Sequence, residues 1–152
     1  MRAERADASP GAELLAAFVD EIIGLYGPVD PSRWPSADPD ELAPAGGVFL
    51  VLYSSEAPVA CGGVKWLEPG IGEIKRMYVV PTERGRGVAR GLLGELEAAA
   101  RDQLGYRRVR LDTGAEQPHA RALYESAGYR TIPDYNANAY ASFWFEKELG
   151  PA

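Results

Sequence analysis

The run from Met77 to Arg90 carries the densest chemistry in the chain. An apolar strand end, Met77-Tyr78-Val79-Val80, passes through Pro81-Thr82-Glu83-Arg84-Gly85-Arg86-Gly87 into a helix beginning at Val88-Ala89-Arg90. Glycines at 85 and 87 let the backbone turn tightly and bring N–H groups close to a ligand. The new helix aims its unpaired N–H groups and the positive end of its dipole at the same place. Arg84, Arg86 and Arg90 add full charges. Residues of these types in this order suit a pyrophosphate.

Such a turn needs a strand behind it and a helix ahead. Glu73 to Val80 reads as that strand. Val88, Leu92, Leu96, Ala99 and Gln103 or Leu104 mark the helix, which ends at Gly105. Its internal Gly91 and Gly94 each cost about 1 kcal/mol against alanine and point to close approach by the sheet or a ligand. Upstream, Leu14, Leu15, Phe18, Ile22 and Leu25 give an amphipathic helix over Ala12 to Tyr26. Gly27 to Gly47 carries five prolines and reads as an irregular loop with one short turn of helix. Val48 to Tyr53 and Val59 to Trp66 form a hairpin. Val109 to Leu111, a helix over Pro118 to Ala127, and strands at Tyr129 to Ile132 and Ser142 to Lys147 complete the pattern. The expected architecture is α+β, with antiparallel N-terminal strands in a mixed central sheet flanked by helices, as one domain over residues 1–152.

Composition narrows the function. A chain of 152 residues can bury about 70 % of its unfolded surface without a disulfide or metal staple. Cys61 is the only cysteine, so no intrachain disulfide forms, and in a predicted strand beside Gly62 and Gly63 it reads as a buried structural thiol. The net charge of −6 argues against nucleic acid held by phosphate contacts. No apolar run suits a membrane span and no signal peptide is evident, so a cytoplasmic protein is expected. The charge is uneven. Residues 1–74 hold 4 basic and 12 acidic side chains, whereas 75–130 hold 11 basic and 7 acidic. This suggests an anionic cofactor in the middle segment and an amine substrate near the acidic flanks.

The order Arg84-x-x-Gly87-x-Ala89 after a Val-Val-Pro strand end resembles the acetyl-CoA signature of the GCN5-related N-acetyltransferases, the GNAT superfamily. Ala120-Arg121-Ala122-Leu123-Tyr124-Glu125-Ser126-Ala127-Gly128-Tyr129 is similar to the family's second signature. The resemblance implies acetyl-CoA as cosubstrate, no metal, and transfer to the amine of a small molecule by direct attack in a ternary complex. It implies pyrophosphate contacts from Arg84, Gly85, Arg86, Gly87, Val88, Ala89 and Arg90, and pantetheine contacts along Met77, Tyr78 and Val79. Gln117 joins the cofactor contacts, although many members carry Asn there. Glu73, eleven residues before Arg84, matches the basic glutamate of the histone-type branch. Tyr124 matches a phenol that protonates the leaving thiolate. The family's opening strand falls near Arg2 to Asp7, where the match is poor.

Three physical tasks follow for such a transfer: holding the thioester, removing a proton from the amine, and stabilising the thiolate. An ordinary glutamate, near pKa ~4.3, is a weak base toward an alkylammonium near ~10.4, so Glu73 needs burial or a water relay. Tyr124, near ~10, is the candidate that protonates a thiolate near ~8.5. Acceptor recognition is expected from loops, with Trp34, Asp112, Thr113, Asp134, Tyr135 and Asn136 as candidates. Two rivals remain at this level. One is a GNAT-like sensor without turnover. The other is a dinucleotide-binding oxidoreductase, suggested by Gly85-x-Gly87-x-x-x-Gly91 with Asp112 downstream. A homodimer is left open.

Overall fold

The computed structural model describes residues 1–151. Its strands are β1 (Arg2–Ala3), β2 (Val48–Ser54), β3 (Ala57–Glu68), β4 (Ile71–Val79), β5 (Arg108–Thr113), β6 (Arg130–Ile132) and β7 (Phe143–Glu148). Helices α1 (Gly11–Tyr26), α2 (Val88–Ala98) and α3 (Pro118–Ser126) pack on the sheet. The strand order is β1-β2-β3-β4-β5-β7-β6. All pairs are antiparallel except β4 with β5. The sheet is therefore mixed, with the expected antiparallel front half.

Local sequence explains most boundaries. Ser55 and Glu56 take positive φ of 49° and 73° between β2 and β3, the twist that a two-residue hairpin turn requires. Ala57 and Pro58, expected in the turn, belong to β3. The opening strand is two residues long and pairs Arg2 with Val51 and Ala3 with Leu50. The proline-rich loop holds a single 3-10 turn, Pro31–Arg33, where Asp30 accepts from the Ser32 N–H at 2.9 Å. Helix α2 continues through a π-helical turn, Ala99–Gln103, before Gly105 ends it at φ 74°.

The two faces of the sheet bury different residues. On one, Leu14 and Phe18 of α1, with Leu42 of the loop, cover Phe49, Val51, Cys61 and Tyr78. On the other, Leu92, Leu93 and Leu96 of α2 and Tyr124 of α3 cover Leu50, Val64, Ile74, Val109, Leu111 and Phe145. Apart from the half-buried Phe18, both sets are almost wholly removed from water, which is the main stabilising term. At the far edge, Glu146, 2 % exposed, accepts from Arg110 at 2.9 Å and from Arg130, tying β5, β6 and β7 together. Burial alone would raise that carboxyl. The two guanidinium hydrogen bonds outweigh it and hold the pKa below the usual carboxylate range.

Two irregularities in β4 matter for function. Its pairing with β5 covers only Ile71–Glu73 against Arg108–Arg110, after which the two strands part. Its pairing with β3 slips between Lys75, opposite Gly63, and Tyr78, opposite Cys61. The slip is a bulge in which Arg76 takes φ 61°, a sparsely populated conformation for a non-glycine residue.

Candidate active site

The parted ends of β4 and β5 open a cleft. Phe18, Ile22 and Tyr26 of α1 and Trp34 of the proline-rich loop wall one side, and Asn138 and Tyr140 line it from the segment before β7. Lys75, Arg76 and Met77 line it from the β4 bulge, Asp112, Thr113 and Gly114 from the end of β5, and Gln117, Ala120 and Tyr124 from α3 and its approach. Gly114 is sterically required, because a Cβ there would lie 1.8 Å from the Tyr26 hydroxyl. That hydroxyl accepts from the Glu116 N–H at 3.2 Å and joins the end of α1 to the loop after β5.

Tyr124 reaches the cleft from α3, which Pro118 starts after Gln117. Its ring packs on Tyr129 and Phe145 at centroid distances of 5.8 and 6.0 Å. Its hydroxyl has the Met77 sulfur at 3.7 Å as its recorded partner. Burial, reinforced by the charge of Asp112, pushes the phenol above its ordinary range and keeps it protonated. A buried phenol whose hydroxyl has, among the described residues, only a thioether as hydrogen-bond partner has its proton available for a ligand.

Glu73 stands elsewhere. It is 2 % exposed and does not line the cleft. One carboxylate oxygen accepts from the Tyr135 hydroxyl at 2.7 Å and the Asn136 amide at 3.0 Å, and the other lies 3.7 Å from the Lys75 ammonium. An amine in the cleft therefore meets Lys75 and Asp112 before it meets Glu73. Asn136 also donates to Asp112 at 2.5 Å, and Asn138 donates to the other oxygen of Asp112 at 3.2 Å. Asp134 folds the loop instead of lining the cleft, since its side chain accepts from the N–H groups of Asn136 and Ala137 at 2.9 and 2.8 Å. Of the six residues expected to touch the acceptor, the cleft gathers Trp34, Asp112 and Thr113, whereas Asp134, Tyr135 and Asn136 stand behind them.

The glycine turn has the expected backbone and a different use of its arginines. Gly85 and Gly87 both take left-handed φ, 79° and 80°, and Gly87 begins α2 without a side-chain cap. The first N–H groups of α2, in Val88, Ala89 and Arg90, are thus left for a ligand or water. Arg84 turns back: its Nε donates to the Val79 carbonyl at 2.9 Å and its terminal nitrogen to Glu21 at 2.5 Å. It pins the end of β4 to α1. Arg90 donates to Ser126 at 2.5 Å and ties α2 to α3. Arg86 extends into solvent, 3.7 Å from Glu83. The open charge at the turn is therefore Arg86 together with the helix dipole. Tyr78 packs its ring under α1, 6.3 Å from Phe18, so only its backbone is on offer to a ligand along β4.

Of the polar lining residues, Tyr26, Lys75 and Arg76 were not expected, and Asn138 and Tyr140 come from the 133–140 segment expected to carry specificity, although neither was a named candidate. Strand alternation puts Lys75 on the same face as Glu73, two residues away, which was the one signal in the sequence. Arg76 stacks on Trp34 with its guanidinium carbon 4.0 Å from the ring centroid. Burial pulls the Lys75 ammonium below its ordinary range, against the opposing pull of Glu73 and Asp112. Gly91 and Gly94 approach nothing, since a Cβ at either position would meet open space. Cys61 is fully buried and its thiol is pushed up to about 12.

The mixed sheet thus parts beside a bulged strand, and an uncapped helix start follows it. The acetyltransferase (GNAT) family model matches residues 15–129. An IAA acetyltransferase of Azospirillum brasilense is 34 % identical over 80 % of each chain. An acetyltransferase of the GNAT family from Staphylococcus aureus superposes with a TM-score of 0.78 at 18 % identity, covering 98 % of this chain and 99 % of the other. The PaiA N-acetyltransferase of Thermoplasma acidophilum, in complex with coenzyme A, gives a TM-score of 0.59 at 18 % identity over 68 % of this chain and 61 % of that one. The chain belongs to the GNAT acetyltransferase family, which uses acetyl-CoA.

Proposed function

We propose that the protein is an acetyl-CoA-dependent N-acetyltransferase that transfers the acetyl group to a small-molecule amine by direct attack in a ternary complex. One observation carries this reading. A phenol held protonated, Tyr124, and a carboxylate, Asp112, line the same gap between β4 and β5.

The residues fit the cosubstrate. Beyond Glu73, β4 has no pairing with β5, leaving Met77 and the backbone of Tyr78 and Val79 for the pantetheine amides. Gly85 and Gly87, the N–H groups of Val88, Ala89 and Arg90, and Arg86 suit the pyrophosphate. Gln117, which begins α3 and lines the cleft, can meet the arm from the other side. Bound acetyl-CoA supplies an acetyl thioester at which a C–N bond forms as the C–S bond breaks. Tyr124 donates a hydrogen bond to the departing sulfur and passes its proton as the thiolate leaves, a transfer that its raised pKa allows only where the sulfur is equally desolvated, and the phenolate recovers a proton from water as the product departs. Asp112 orients the amine and receives its proton directly or through water. Lys75 and Arg76 assist by disfavouring a third cation, so the amine is held in its neutral, nucleophilic form. Glu73, set behind, holds Lys75, Tyr135 and Asn136 in place.

Direct transfer is favoured because Cys61 is buried outside the cleft, with its thiol pushed up to about 12, and cannot carry an acyl group there. The test is titration with acetyl-CoA followed by thiol release across a panel of amines. Binding with release and intersecting double-reciprocal lines supports the reading. Binding without release from any amine would leave a sensor, and binding of NADH alone would return the oxidoreductase.

A further inference from the structure

The charges of the cleft are unequally satisfied. Asp112 in the cleft accepts hydrogen bonds from the neutral donors Asn136 and Asn138, and Glu73 behind it accepts from Tyr135 and Asn136. The cations are not matched in this way. Lys75, 5 % exposed at its side chain, has Glu73 at 3.7 Å, beyond hydrogen-bond distance, and no hydrogen bond is recorded for its ammonium among the described residues. Arg76 has no carboxylate within 4.0 Å among them. Its one recorded hydrogen bond is a long one, 3.4 Å to the Pro35 carbonyl, and its face is spent on Trp34. The Thr113 hydroxyl, which lines the same cleft, is buried without a partner. A buried ammonium without acceptors is costly, and each of these donors calls for an oxygen. Beside them the walls are apolar and aromatic, formed by Phe18, Ile22 and Trp34.

We infer that the acceptor is an amino acid with an apolar or aromatic side chain, its carboxylate held by Lys75 and Arg76 while its amine lies against Asp112. The inference rests on the acetyl-transfer reading above and narrows its substrate class. A carboxylate supplies the two acceptor oxygens that Lys75 and Arg76 lack, in charge-assisted bonds. Once bound it offsets one of their two positive charges. An amine with no acid group would leave both cations unmatched and bring no oxygen to Thr113. The acidic flanks suggest a cationic acceptor from sequence alone, but Asp112, the carboxylate that lines this cleft, belongs to the basic middle segment and shares the cleft with two cations.

The test compares matched acceptors in the presence of acetyl-CoA: phenylalanine against phenethylamine, leucine against isoamylamine, and tryptophan against tryptamine. The acid of at least one pair is expected to exceed its amine in kcat/KM by about a hundredfold. Lys75→Met should reduce that ratio to below about tenfold, with Arg76→Gln as the second variant should the first fold poorly. Binding of 3-phenylpropionate, which has the acid and no amine, is read by calorimetry on the wild-type protein and should weaken in the same variants. Equal or better transfer to the plain amines in all three pairs would overturn the inference and leave the transferase standing. So would failure of 3-phenylpropionate to bind at millimolar concentration. Binding of 3-phenylpropionate with no thiol released from any amine would keep the anion site and remove the transferase reading.

Discussion

At the scale of single residues, proton traffic divides between Tyr124 and Asp112. Tyr124 is buried, its pKa is raised, and its hydroxyl contacts a thioether. Tyr124→Phe keeps the ring packing on Tyr129 and Phe145 and removes only the proton, so kcat should fall about tenfold to a hundredfold with acetyl-CoA affinity unchanged. Calorimetry against steady-state kinetics separates the two quantities, and a parallel loss of affinity would instead make the phenol a binding group. Asp112→Asn should lower kcat/KM near neutrality, and the deficit should shrink as pH rises toward the pKa of the amine, where no base is needed. A deficit that stays constant across pH would remove the base role from Asp112. Glu73→Gln tests the alternative. Because Glu73 balances Lys75 in a dry setting, its loss should show chiefly as a destabilisation of about 2 kcal/mol in chemical denaturation. The position of Glu73 was legible from its spacing to Arg84. Its engagement was not, because Tyr135 and Asn136 reach it from 62 and 63 residues away.

At the scale of elements, local signals served well and pairing registers did not. The hairpin, α1 and the glycine turn follow from apolar periodicity and turn chemistry, and their bounds lie within a few residues of expectation. The bulge at Arg76 arises from how β4 meets β3, which no local pattern encodes, yet it is what brings Lys75 and Arg76 together into the cleft. Likewise, Arg84 reads as a phosphate ligand until α1 supplies Glu21. The glycines of α2 show the same limit. Gly94 has no neighbour that its lack of a Cβ accommodates, so its cost to the helix is not offset by packing. Gly94→Ala should stabilise the fold by about 0.5–1 kcal/mol, a rise in Tm of about 1–4 °C for a chain of this size. Thermal denaturation checks this, and a lower Tm would mean that a ligand or another molecule uses that surface. Gly87→Ala should act oppositely, because a left-handed φ of 80° penalises a Cβ and distorts the start of α2. About a tenfold loss of acetyl-CoA affinity is the expected result.

For the whole molecule, the buried ionisable groups fix how stability responds to alkali. Burial raises the Cys61 thiol to about 12 and pushes the Tyr124, Tyr129 and Tyr135 phenols upward, the last two aided by the carboxylates of Glu97 and Glu73. In the unfolded chain these groups return to ordinary values, near 9.0 for the thiol and 10.0 for the phenols. Above those values the unfolded chain releases protons that the folded protein retains. Unfolding is then favoured by rising pH, with a slope of up to about 1.4 kcal/mol per pH unit for each group. Below pH ~9 the same groups are protonated in both states and contribute no pH dependence. Stability should therefore be insensitive to them near neutrality, begin to decline above pH ~9 as the unfolded thiol ionises, and steepen past pH ~10 as the phenols follow. Denaturation midpoints across pH 8 to 11 would measure this. Cys61→Ala isolates the first step: it leaves a cavity and lowers stability throughout, but the decline should then start about one pH unit higher. An unchanged onset would assign the early loss to another group. The same burial links folding to chemistry, because what makes the protein sensitive to alkali also keeps Tyr124 protonated near neutrality.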